Sequence, residues 1–232
     1  MRYLLIALMI GCGNMAHAAT FIYVSMAPEQ KIQIYQLDEA TGALRSIDTL
    51  AVDGAPGCMT VDSQRRFLFA SLRTTSSLAS FRIDPKTGKL SQICTAALPA
   101  GENAAFVTPD RTGRWLLSAS YLAGTVVVHR LGDEGTIQLP SIQTVKTAKT
   151  AHCVAMDRDQ KWVFVPHVTP NAIFQFRLDS ATGKLTEAGQ VPGGTEKAGP
   201  RHLAIHPTQK FAYASDESGS SVTAYRLDVE SG

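Results

Sequence analysis

The sequence predicts an all-β propeller of four-stranded antiparallel blades, and two markers that share one period predict it. Aromatic residues that open short apolar runs stand at Phe21, Phe67, Trp115, Trp162 and Phe211, roughly 47 residues apart. A glycine turn keeps the same beat: DEATGAL at Asp38 to Leu44, DPKTGKL at Asp84 to Leu90, GDEGTI at Gly132 to Ile137 and DSATGKL at Asp179 to Leu185. Repeats of roughly 40 to 50 residues made of short strands and glycine turns correspond to one blade each. Helical solenoids of similar period need amphipathic runs with 3.6-residue spacing, and the chain has none.

In chain order the first element is a leader. Met1-Arg2 precedes the apolar run Tyr3 to Ile10, and Ala16-His17-Ala18 supplies an A-x-A cleavage site, the pattern of a secretory signal. The run is far shorter than the roughly 20 residues a membrane-spanning helix needs. A lipoprotein site at Met9-Ile10-Gly11-Cys12, with Cys12 lipidated, is the less favoured alternative, because Met rather than Leu stands third before the cysteine. Residues 1–18 are therefore expected to be a signal peptide and 19–232 an incomplete propeller domain. The mature protein is expected in the periplasm or secreted, with no transmembrane span after signal removal.

Within each repeat, alternation and turn residues place the strands. Inner strands read Cys58 to Val61, Ala105 to Val107, His152 to Met156 and Arg201 to Ile205. A turn with Asp62, Asp110, Asp157 or Pro207 leads into the second strand, which opens at the aromatic marker and ends near Ser71, Ser120, Pro166 or Ser215. Third strands follow at Ile32 to Leu37, Leu78 to Ile83, Thr125 to Leu131, Ala172 to Leu178 and Ser221 to Leu227, and the glycine turn hands over to a variable outer strand. Asp228 to Gly232 fall inside that turn, so residues 20 to 232 supply about four and a half blades. An unclosed propeller exposes sheet edges, so the chain is expected to be a fragment of a longer protein, with a complete four-bladed ring as the alternative.

Composition narrows the function. A net charge of +2 with dispersed Lys and Arg offers no nucleic-acid footprint. Cys58, Cys94 and Cys153 lie in different blades and read as buried small hydrophobes rather than a disulfide framework. Cys153 follows His152 directly, and neighbours on a strand point to opposite faces, which argues against a Cys/His nucleophile. His202 and His206 lack a third ligand at regular spacing, so no metal is expected. Trp115, Trp162, Phe67 and Phe211 are expected to be inter-blade core.

A propeller binds small molecules at one mouth of its channel, where the starts of inner strands meet the loops after second strands. Inner strands offer Gly57/Cys58, Asn103/Ala104, His152 and Arg201/His202; the loops offer Arg73, Tyr121, His167/Val168 and Glu217. A histidine or carboxylate base with a fixed cation is the minimum set for ester hydrolysis. Spacing alone leaves open that Arg201 only pairs with Glu217 and that His152 only caps a backbone group.

GPRHLAIHP (Gly199 to Pro207) with KFAYASDESGSSVTAYRL (Lys210 to Leu227), and the blades containing SASYLAGTVVVHRL (Ser118 to Leu131) and AHCVAMDRDQKWVFVP (Ala151 to Pro166), resemble the seven-bladed propeller lactonases. That family includes propeller-type 6-phosphogluconolactonases and fungal carboxy-muconate lactonising enzymes. The resemblance implies a lactone hydrolase of sugar metabolism without a cofactor, acting on a small-molecule lactone. It places the catalytic group on His152, Arg201 and Glu217; of the other mouth positions, His202, Tyr121, Arg73 and His167 are expected to bind the substrate. A further family arginine lies in a later blade with no counterpart here, so the chain alone is expected to be inactive. The family often has Asp at the position of His167, Asn at that of Asp216 and Phe at that of Ile205. The leader favours an unphosphorylated sugar lactone over 6-phosphogluconolactone. A non-catalytic exported propeller that binds a ligand or protein partner is the competing function.

Overall fold

A computed structural model of the chain describes residues 19–232; the expected signal peptide at residues 1–18 and the alternative lipidation site at Cys12 lie outside them. The described residues form five antiparallel sheets and no helix; none of their elements is a helix long and apolar enough to cross a membrane. The first blade holds β1 (Thr20–Met26), β2 (Lys31–Leu37) and β3 (Leu44–Ala51). The second holds β4 (Pro56–Val61), β5 (Phe67–Leu72), β6 (Ser77–Ile83) and β7 (Leu90–Ala97). The third is β8 (Ala104–Pro109), β9 (Trp115–Ser120), β10 (Thr125–Arg130) and β11 (Gln143–Lys146). The fourth is β12 (Ala155–Met156), β13 (Trp162–His167), β14 (Ala172–Leu178) and β15 (Leu185–Pro192), and the fifth is β16 (Pro200–Ile205), β17 (Phe211–Asp216) and β18 (Ser221–Arg226). Each sheet is a meander in sequence order.

Two-sided burial explains the apolar runs. Every residue of β5, β9 and β13 is buried, and the two-residue period of a strand sorts their side chains between neighbouring blades. Leu68, Ala70 and Leu72 meet Ile32 and Ile34 of the first blade, whereas Phe67 and Phe69 meet Val107, Leu116 and Ile137 of the third. Trp115, Leu117 and Ala119 face Val163, Val165 and Phe176 of the fourth. Trp162 and Phe164 face Ala214, Leu203 and Ile205 of the fifth.

The two sequence markers are two halves of one joint. In the glycine turns the chain closes on the residue that opens the turn, an aspartate where Gly88 N donates to Asp84 O at 2.8 Å and Gly183 N to Asp179 O at 2.8 Å, and Gly132 where Gly135 N donates to its O at 2.9 Å. Gly88 and Gly183 adopt φ of +70° and +75°, and all three glycines lie flat on the marker ring of the preceding blade. A Cβ added to Gly88 would sit 2.4 Å from the Phe21 ring, on Gly135 2.8 Å from Phe67, on Gly183 2.6 Å from Trp115 and on Gly232 2.5 Å from Trp162. Both indoles also donate into the turn that covers them, Trp115 Nε1 to Ser180 O at 3.1 Å and Trp162 Nε1 to Val229 O at 2.8 Å. Glycine is required here twice over, by φ and by contact.

Two sequence expectations are corrected. Phe211 is 39% exposed rather than inter-blade core, because no glycine turn covers its ring among the described residues. The inner strand expected from His152 to Met156 is laddered only at Ala155–Met156, with a lone bridge from Ala151 to His167. Pro166 stands opposite the interrupted stretch and has no N–H to give to it; its carbonyl still accepts from His152 N at 3.1 Å.

Candidate functional site

Bulges build the mouth. The β4–β5, β8–β9 and β16–β17 ladders each slip near the start of the inner strand, between Pro56 and Met59, Ala104 and Phe106, and Pro200 and His202. Gly57, Ala105 and Arg201 are left unpaired, and His152 holds the matching place in the fourth blade. A bulge re-aims the side chain it carries, so these positions address the channel and not an inter-blade core. Directly across stand the first residues after the second strands. Arg73 N donates to Ala55 O at 2.8 Å, Val168 N to Thr150 O at 3.3 Å and Glu217 N to Gly199 O at 2.8 Å, while Tyr121 O accepts from Thr150 N at 2.6 Å.

Five of the expected residues meet here. Arg201 Nε lies 2.8 Å from Glu217 Oε2 in a half-exposed ion pair whose approach is bent away from the N–H direction. Arg201 Nη1 is 3.2 Å from His202 Nε2. The His202 ring packs edge-on against His152, centroids 4.8 Å apart, and His152 in turn against Tyr121 at 5.7 Å. His152 is buried, its Nδ1 has no partner, and burial, then the Arg201 guanidinium and His202, hold its pKa down to about 4. Burial and then Arg201 lower His202 as well. Both imidazoles are therefore neutral at neutral pH, beside a cation that cannot lose its proton.

Arg73 holds the matching loop position of the second blade, its stem over Gly57 at the bulge and its N bound to Ala55 O at 2.8 Å, and its charge adds to the depression of His152. His167 does not belong to the mouth. It is fully buried, with Nδ1 2.9 Å from Val165 O and Nε2 3.0 Å from Thr147 Oγ1, and its ring packs against Phe174 at 4.3 Å. As the last residue of β13 it shares the face of Val165, which points into the joint with the third blade; Val168 takes the loop position instead. Phe106 is the residue that sequence reasoning missed, its ring 6.0 Å from His202. Aligning the residue one past each bulge, Phe106 with His202, would have found it. Cys153 is buried with its thiol pushed up to about 12, so it offers no thiolate. Among the described residues no three His, Cys, Asp or Glu side chains gather as a metal set.

The fifth-blade bulge brings Arg201 to this mouth beside His202 and His152, on the antiparallel blades of a propeller. Residues 17–232 match the family described as "Lactonase, 7-bladed beta-propeller", and the chain belongs to that family. It is 35% identical over 212 residues to a 6-phosphogluconolactonase of Pectobacterium carotovorum, covering 91% of this chain and 62% of that protein. With a 6-phosphogluconolactonase of Yersinia enterocolitica it shares 33% over 210 residues, covering 89% and 60%. The chain thus spans about three fifths of the length of these relatives. A periplasmic gluconolactonase of Pseudomonas aeruginosa superposes with a TM-score of 0.81 at 24% identity, over 92% of this chain and 66% of the other, a likeness of fold.

Proposed function

We propose that this chain carries part or all of a lactone hydrolase that opens a sugar lactone to its acid. The observation that carries the reading is the meeting of Arg201, Glu217, His202 and a neutral, unpartnered His152 at one mouth, in a chain of the lactonase family. Arg201 polarises the lactone carbonyl. With Nε on Glu217 and Nη1 on His202, its Nη2 has no protein partner among the described residues and is the donor left for the oxygen that becomes negative. His152 takes a proton from water as the water oxygen bonds to the carbonyl carbon. When the ring C–O bond breaks, the same proton passes to the departing oxygen, which leaves as a hydroxyl.

Glu217 fixes the guanidinium rather than acting as the base, because its carboxylate is already committed to Arg201. Tyr121, His202 and Arg73 line the substrate, and no cofactor enters the chemistry. The leader at residues 1–18 supports an exported protein, which meets sugar lactones outside the cytoplasm. Proton release on adding a sugar lactone tests the reading, with spontaneous ring opening subtracted. Catalysed release that Arg201→Ala removes is expected of a longer product of the reading frame that carries the further arginine. Ligand binding without any catalysed release, in this chain and in any longer product of its reading frame, would instead support a binding propeller.

A further inference from the structure

We propose that Arg73 is a specificity-determining residue, a guanidinium seated on Gly57 to receive an oxyanion substituent of the lactone remote from its carbonyl. The inference rests on the lactone-binding reading above and adds to it which end of the substrate carries charge.

The seat is visible in the packing. A Cβ on Gly57 would meet Arg73 Cδ at 3.0 Å, Arg73 Cγ at 3.1 Å and Ser71 Oγ at 2.8 Å. Gly57 does not adopt the positive φ that favours glycine, so its lack of a side chain serves space and not conformation. The stem of Arg73 lies in that space. Its backbone is fixed on both sides, with N donating to Ala55 O at 2.8 Å and O accepting from Asn103 Nδ2 at 2.8 Å.

Equivalent positions in the other blades show the same exchange of size. Ala105 at the bulge goes with Tyr121 in the loop, and the larger His152 with the smaller Val168. In the fifth blade two charged residues, Arg201 and Glu217, pair with each other. The second blade has the arginine without the acid. Among the described residues no carboxylate lies within 4.0 Å of Arg73, whereas the other guanidinium at the mouth, Arg201, has one.

Its charge nonetheless falls on the mouth, where it disfavours a protonated His152. Arg201 is held by Glu217 and His202 and is assigned to the carbonyl, so Arg73 is the second cation of this cluster, without a carboxylate partner and free to meet another part of the ligand. A guanidinium offers a fork that fits either a carboxylate or a phosphate. Both are the same chemistry to the site, and an exported protein meets the carboxylate form.

The test is titration calorimetry of the full chain with three hydrolysis products: gluconate, glucarate and 6-phosphogluconate. The acids with a second anionic group should bind at least about tenfold tighter than gluconate, the worth of one charge-assisted contact. Preference for glucarate alone identifies the carboxylate source, and for 6-phosphogluconate alone the phosphate. Arg73→Gln should bring the ratio to near one, Gly57→Ala should reduce it by unseating the stem, and Arg73→Lys should restore part of it. Equal affinities in the parent chain, or a parallel loss for all three acids in Arg73→Gln, overturn the inference and leave the lactone site standing. If none of the acids binds, the lactone reading fails and this one with it.

Discussion

Arg201 serves two masters on one guanidinium, a carboxylate at 2.8 Å and an imidazole at 3.2 Å, which fixes its direction without neutralising its reach toward the mouth. Arg201→Ala should lower kcat/KM by roughly a hundredfold or more, with the urea midpoint moving little because the side chain is half-exposed. Intact turnover would make Arg201 structural. The depressed value of His152 sets a second expectation. Its imidazole is neutral above about 4, so the base form is lost only as pH falls through about 4. A plot of kcat/KM against pH should stay level from 8 to about 5 and drop below that, whereas an ordinary histidine would turn over near 6.5. At this scale the bulge residues were legible because the repeats align them, though their roles came from the family likeness. His167 was misread because one step along a strand reverses the face, and one-residue boundaries are finer than strand patterning resolves.

The blade joint predicts unequal costs for one kind of substitution at two glycines with nearly the same backbone. Gly42 has φ +74° and no atom within 4 Å of its would-be Cβ; Gly183 has φ +75° and the Trp115 ring at 2.6 Å. Gly42→Ala should cost about 1 kcal/mol, the strain of a side chain at positive φ. Gly183→Ala should cost roughly 2 to 5 kcal/mol, since overpacking against a buried indole is added to it. Urea unfolding of the two variants separates the terms, and equal costs would show that the ring yields freely. Most strands were readable because a strand buried on both faces is written as an unbroken apolar run. The interrupted inner strand of the fourth blade was not, since the feature that breaks it, Pro166, sits in the neighbouring strand.

Across the whole molecule three buried histidines share one electrostatic condition. His129, His152 and His167 are each held down to about 4, with burial as the largest cause, and both ring nitrogens of His129 lack a partner. In the unfolded chain they titrate near 6.5, so between 6.5 and about 4 the unfolded state binds more protons than the folded one. Their contribution to stability is complete above about 6.5, is lost as pH falls toward about 4, and levels off below that. The unfolding free energy read from urea titrations should decline over this window by up to about 3 kcal/mol per histidine, and the midpoint with it. His129→Leu, which leaves no buried imidazole to be charged there, should flatten the slope. A midpoint level from pH 7 to 5 would contradict the account. The repeat period revealed the blades, but not this coupling, because a histidine on a strand carries no mark of how deeply it will be covered.

The glycine that covers each marker ring is encoded about seventy residues after it, which turns a packing detail into a matter of timing. Translation at roughly 5 to 20 residues per second leaves each ring waiting roughly 3 to 14 seconds for its lid. Because the lag exceeds the repeat period, a growing chain of this kind carries one or two unfinished seams, always at its newest blades. The aromatic at such a seam is where a chaperone or a secretion factor would find its grip, and arrival of the glycine that covers it would end the encounter.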